Sequence, residues 1–64
     1  MGPKRMDAVA LLEDVPARRL ARGQVGTVVE KLGQELFEVE FDDERGENFA
    51  TLALEADLLL VLHH

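Results

Sequence analysis

Three arginines, Arg18, Arg19 and Arg22, form the basic cluster of the sequence. A guanidinium group is a planar fork of donors that matches both a phosphate and a carboxylate. The cluster therefore has the chemistry to bind a nucleic-acid backbone or an acidic patch on a protein. The favoured interpretation is a solvated loop that balances nearby carboxylates, and the three arginines are kept as candidate partner-binding residues.

A second candidate set consists of glutamates. Glu30, Glu38 and Glu40 fall on two neighbouring predicted strands, and we expect all three side chains to point outward as an acidic face. Such a face can dock a basic protein and speed its association. Equally, it can serve as solubility charge that discourages strand edges from pairing with other chains. We keep the three glutamates as candidate partner-binding residues.

Two parts of the sequence carry side chains that can bind metal ions. Residues 42–47 carry four carboxylates, and hard oxygen ligands suit calcium. Their spacing lacks the alternation and the closing glutamate of a calcium loop, so a polar hairpin turn is the prediction. The adjacent His63 and His64 point apart on an extended segment and are predicted to be part of a terminal tail. We therefore predict no metal and no cofactor.

The side chains that carry most enzymatic chemistry are missing. Serine, cysteine and tyrosine are absent, and Thr27 and Thr51 provide the only hydroxyl groups. Neither histidine has an orienting carboxylate nearby in the sequence. Gly23 and Gly26 precede a predicted strand rather than a helix, which argues against a dinucleotide-binding loop. A barrel this small fills its interior with side chains. The sequence therefore predicts a protein that is not an enzyme.

Chain length and charge further narrow the kinds of domain and partner that fit the sequence. With 64 residues there is room for one domain and one modest core. Residues 1–24 carry five lysines and arginines against three carboxylates, whereas residues 25–64 carry two against ten, for a net charge of −6. This acidic balance disfavours nucleic acid and anionic membranes as partners. Absence of cysteine, of a signal peptide and of a membrane-spanning segment predicts a cytoplasmic protein.

Two-residue alternation predicts strands through the second half of the chain. Residues 36–41 place Phe37, Val39 and Phe41 on one face of a strand. Residues 26–32 form a β-branched strand, and residues 33–35 make a hairpin connection between the two. A polar turn at residues 42–47 leads to a strand at 48–54. Next come a one-turn helical connection at 55–57 and a buried final strand at 58–62.

The front of the chain completes the order of elements. Residues 8–13 are predicted to be the first strand, and a loop over 14–24 contains Pro16 and Gly23. Helix is the alternative for residues 6–12 and 52–60, but Pro16 limits the first and a nine-residue helix is marginal alone. The prediction is one all-β domain over residues 1–64, a small five-stranded SH3-like barrel. Residues 1–6 and 63–64 are expected to be flexible tails.

Parts of the sequence resemble known barrels. Residues 22–30, Arg-Gly-Gln-Val-Gly-Thr-Val-Val-Glu, are similar to the opening of KOW-type SH3-like barrels, in which Gly23 ends the loop and Gly26 permits a close approach. Residues 37–41, 48–50 and 57–59 resemble the later strands of electron-transport accessory barrels. With the Asp-Ala-Val-Ala-Leu-Leu start at 7–12, the chain most resembles a family of small bacterial SH3-like barrels, a domain of unknown function. This resemblance implies a fold and says almost nothing about function.

Two functions remain open from the sequence. The leading hypothesis is a non-catalytic protein-interaction module, either an accessory subunit or a neutralising, antitoxin-like partner of a larger protein. Homodimerisation through an edge strand is compatible with it. The alternative is a KOW-type nucleic-acid-binding barrel that uses the arginine cluster together with Lys4 and Arg5. Salt separates the two, because phosphate contacts weaken steeply as ionic strength rises.

Overall fold

The computed structural model describes residues 2–43 and 45–62. These residues form one antiparallel sheet of five strands in the order β4-β3-β2-β1-β5, which confirms the five-stranded all-β class. The strands are β1 (Ala8–Leu11), β2 (Val25–Lys31), β3 (Leu36–Asp42), β4 (Asn48–Glu55) and β5 (Leu59–Val61), with short 3₁₀ helices at Pro16–Arg18 and Ala56–Leu58. Within the described ranges no helix is long and apolar enough to cross a bilayer.

The core is built from the inward faces of these strands. On β3, Phe37, Val39 and Phe41 are fully buried, and Glu38 and Glu40 between them are only partly buried on the outer face. This is the alternation that a half-buried strand requires. The buried apolar cluster comprises Val9, Leu11, Leu20, Val28, Phe37, Val39, Phe41, Ala50, Leu54 and Leu59.

A β-bulge interrupts the pairing of β2 with β3. Val28 lies opposite Val39 and Glu30 lies opposite Glu38, so β2 has one more residue between these pairs than β3. The extra residue is Val29. A bulge of this kind reverses the alternation of side chains beyond it. Val28 therefore points into the core, whereas Glu30, two residues later, is exposed.

The loop over residues 14–24 is tied to the barrel at several points. Leu20 is buried in the core, and Val15 and Leu20 form an isolated β-bridge. The backbone N–H of Arg22 donates to the Asp14 carboxylate at 2.7 Å, which joins the two ends of the loop. Gly23 has φ +89°, in the left-handed region that glycine tolerates best, as expected for the sharp end of this loop.

The N-terminal segment lies against the barrel over residues 2–6, where we expected a tail. Pro3 is buried, and the backbone N–H of Met6 donates to the Val28 carbonyl oxygen at 2.6 Å. The Lys4 N–H donates to the Asp7 carboxylate at 2.7 Å. Met1, His63 and His64 lie outside the described residues, and so do the predictions for them.

Candidate protein-binding surface

The arginine cluster stands on the loop between β1 and β2. Arg18 closes the first 3₁₀ helix, Arg19 follows it with φ +60°, and Arg22 begins the turn that contains Gly23. All three side chains are exposed. Within residues 2–43 and 45–62, none of these three guanidinium groups donates a hydrogen bond. The guanidinium groups are presented to solvent by a loop that Leu20 anchors.

Replacing Arg18, Arg19 and Arg22 together with alanine should leave the fold nearly intact. Exposed substitutions of this kind usually change the free energy of unfolding by about 0.5 kcal/mol or less each. Urea denaturation followed by circular dichroism measures this, with Leu20→Ala as the contrasting variant, because its buried side chain should cost about 2–5 kcal/mol. A triple variant as unstable as Leu20→Ala would show that the arginines are structural.

The three glutamates meet on the outer face of β2 and β3. Glu30 and Glu38 are direct cross-strand partners, and Glu40 lies two residues from Glu38 on the same face. Glu40 is opposite Thr27. No hydrogen bond links these glutamates to the arginine cluster in the described residues. The structure thus brings the glutamates together as an acidic face and leaves the arginines on a separate loop.

An exposed apolar row continues the same outer face onto β1 and β5. Ala10 is the cross-strand partner of Val25 on one side and of Leu60 on the other. Val25 and Leu60 are each 52% exposed, although both belong to strands. Their neighbours along the chain, Gly26 and Leu59, are buried, which confirms that the row points away from the core. We call Val25, Ala10 and Leu60 the apolar row.

The apolar row corrects one sequence-based expectation. Residues 58–62 were expected to form a buried strand, and for Leu60 this is wrong. In β5, the edge strand of the sheet, Leu59 is buried and Leu60 is exposed, so only one face of the strand packs on the core. An apolar run does not reveal by itself that one of its faces is exposed. Cross-strand register was the missing information.

A groove open to solvent follows the outer edge of β5. Its lining includes Leu59, Leu60 and Val61 of β5, Gly2 and Pro3 of the N-terminal segment, and the exposed residues Glu35 and Asp57. The Ala56 N–H donates to the Glu35 carbonyl oxygen at 2.8 Å, and this bond holds the two acidic residues on neighbouring segments. We call this feature the β5 groove.

In the acidic turn after β3, one carboxylate accepts hydrogen bonds from the backbone of the turn itself. Asp43 accepts hydrogen bonds from the backbone N–H groups of Arg45 and Glu47, at 2.9 and 3.0 Å. This is the arrangement by which aspartate stabilises a turn. Gly46, with φ +79°, supplies the left-handed residue in this turn. Glu44 lies outside the described residues.

Fold and surface together define a small five-stranded all-β domain whose outer face combines an apolar row with an acidic patch. The chain belongs to the family described as "Domain of unknown function (DUF4926)", whose model matches residues 6–61. Neither a curated protein nor a solved structure gives a significant match to the chain. The resemblance to KOW-type and electron-transport barrels stays a prediction.

Proposed function

We propose that the chain is a non-catalytic protein-interaction module whose working surface is the outer face of the sheet. The observation that carries the proposal is the apolar row beside the acidic face. Val25 and Leu60 expose half of their surface in ordered strands, and Glu40 lies one strand beyond, opposite Thr27. Exposed apolar patches rimmed by polar residues are typical of protein-binding sites.

Burial of the apolar row by a protein partner contributes to the affinity of the complex. Covering the exposed half of Val25 and of Leu60 is worth about 1 kcal/mol each, given that full burial of such side chains is worth about 1.5–3 kcal/mol. Glu30, Glu38 and Glu40 then select a partner with basic residues around an apolar centre and accelerate its approach. An accessory role on a larger protein, or neutralisation of a basic protein in the manner of an antitoxin, fits this chemistry.

Pull-down from a lysate of the source organism at low salt tests the proposal. The lysate is divided into nuclease-treated and untreated halves, and four forms of the tagged protein are compared: wild type, Leu60→Asp, Leu32→Asp and the arginine triple variant. Wild type should retain a defined protein after nuclease treatment, and Leu60→Asp should lose it because a carboxylate then occupies the apolar row. Leu32→Asp is the matched control, since Leu32 is 48% exposed but lies just after β2, away from the row.

Other outcomes argue against the proposal. Equal retention of the same protein by Leu60→Asp and Leu32→Asp would remove the apolar row from the binding site. Recovery that collapses with nuclease, and that the arginine triple variant also abolishes, would favour the nucleic-acid-binding barrel. In that case, retention should fall steeply with rising salt. Circular dichroism of each variant establishes that the fold is retained.

A further inference from the structure

β5 presents backbone hydrogen-bonding groups at the edge of the sheet. The Leu12 N–H donates to the Leu58 carbonyl and the Leu62 N–H to the Ala8 carbonyl, both at 2.9 Å. In an antiparallel ladder the bonded pairs alternate, so Leu60 is bonded to Ala10 between them. The N–H and C=O of Val61, which lines the β5 groove, consequently point away from β1.

The groove next to this edge has the form and charge of a site for an extended chain. All three residues of β5 line it, and the strand spans about 10 Å. Glu35 and Asp57 also line it, and both residues are exposed. On the outer face, the same edge borders Leu60 of the apolar row. A strand placed here would direct alternate side chains towards the two carboxylates and towards Leu60.

We infer that β5 accepts an extended segment of the protein partner as a sixth strand, an inference that rests on the function proposed above. The segment alternates apolar residues with lysine or arginine. Its backbone pairs with Val61, its basic side chains meet Glu35 and Asp57, and its apolar side chains cover Leu60. Strand addition at an exposed sheet edge is a recurrent mode of peptide recognition.

A second copy of this chain fits the groove poorly. The segment that would pair with β5 in a symmetric dimer is β5 itself, and residues 58–62 contain only leucine and valine. It offers no cation to Glu35 or Asp57. Pairing would also bring together two chains that each carry a net charge of −6. Charge complementarity therefore favours a basic segment from a different protein.

A capped heptapeptide of alternating lysine and valine is a suitable probe, titrated to millimolar concentration into ¹⁵N-labelled protein. We expect shifts of the amide signals of residues 59–62 and slower exchange of the Val61 amide. Two control peptides are used. One replaces lysine with glutamate, and the other is methylated on alternate backbone nitrogens, which removes the donors that a strand ladder needs. Both should bind much more weakly.

Charge reversal tests the two acidic residues that line the groove. The double variant Glu35→Lys with Asp57→Lys should weaken binding of the lysine–valine peptide by about tenfold or more. A variant with the same net charge, Glu13→Lys with Glu47→Lys, changes exposed residues elsewhere and should bind as wild type does. Equal weakening by both pairs would reduce the effect to overall charge and contradict the site.

The results separate this inference from the proposed function. If the peptide shifts no signal in residues 59–62, or if the methylated peptide binds as well, strand addition is overturned. Loss of the pull-down partner in Leu60→Asp would nevertheless leave the interaction module standing. A dimer that forms without peptide and shifts the same signals, seen by sedimentation, would replace the partner segment with a second copy and also overturn the inference.

Discussion

Phe41→Ala is expected to leave the protein without a cooperative unfolding transition at 25 °C. Phe41 is 0% exposed and belongs to the buried apolar cluster, in which Val9, Val28 and Val39 are also 0% exposed. Truncation of a buried phenylalanine costs about 3–5 kcal/mol. A core in a chain this short rarely supplies more than about 3–5 kcal/mol. Phe37→Ala, at 1% exposure, should behave in the same way.

Thermal and urea denaturation followed by far-ultraviolet circular dichroism measure this loss. Leu36→Ala is the matched control, because Leu36 precedes Phe37 on the same strand and points to the other face, where it is exposed. It should unfold close to wild type. Near-wild-type melting of both phenylalanine variants would instead show that the inward face of β3 is assigned incorrectly.

Gly26→Ala should lower the melting temperature by about 5–20 °C. A Cβ at this position would lie 2.8 Å from the Glu40 carbonyl oxygen and 2.8 Å from two atoms of the Phe41 ring. Neither group can move away without a cost in stability, because the Glu40 carbonyl belongs to the strand backbone and the Phe41 ring is packed in the core. Overpacking of this kind costs about 1–3 kcal/mol, and each kcal/mol shifts a domain of this size by about 4–8 °C.

Gly33→Ala provides the comparison for this result. A Cβ at Gly33 would meet only the Leu36 side chain, at 3.8 Å, which is ordinary van der Waals contact. We therefore expect a melting temperature near that of wild type. If the two glycine variants melt alike, the close approach of β2 to β3 at Gly26 is not a requirement of the fold.

Most strands were predictable because their side chains alternate. Phe37, Val39 and Phe41 occupy every second position, and only an extended chain with one buried face uses that period. The glycines were also informative. Gly23 has the positive φ expected at the end of its loop, and Gly26 permits a close approach, made by Glu40 and the Phe41 ring.

The candidate site was predictable only in part. The glutamates form one acidic face as predicted, but the reason lies in the bulge at Val29. Strict alternation from the buried Val28 would have turned Glu30 towards the core. Nothing in the sequence of residues 26–32 predicts the bulge that prevents this. The apolar row was missed altogether. Its members are separated along the chain by 15 and 35 positions, and only pairing places them side by side.

By itself, the sequence determined the class of this protein: a small acidic all-β domain with its buried face on β3 and few side chains suited to catalysis. These properties follow from composition and from the alternation of apolar and polar residues, which involves only residues close together in the sequence. Tertiary structure decided the working surface. The order of strands made β5 an edge and the bulge turned Glu30 outward. Contacts between distant segments produce both features, and local sequence does not encode those contacts.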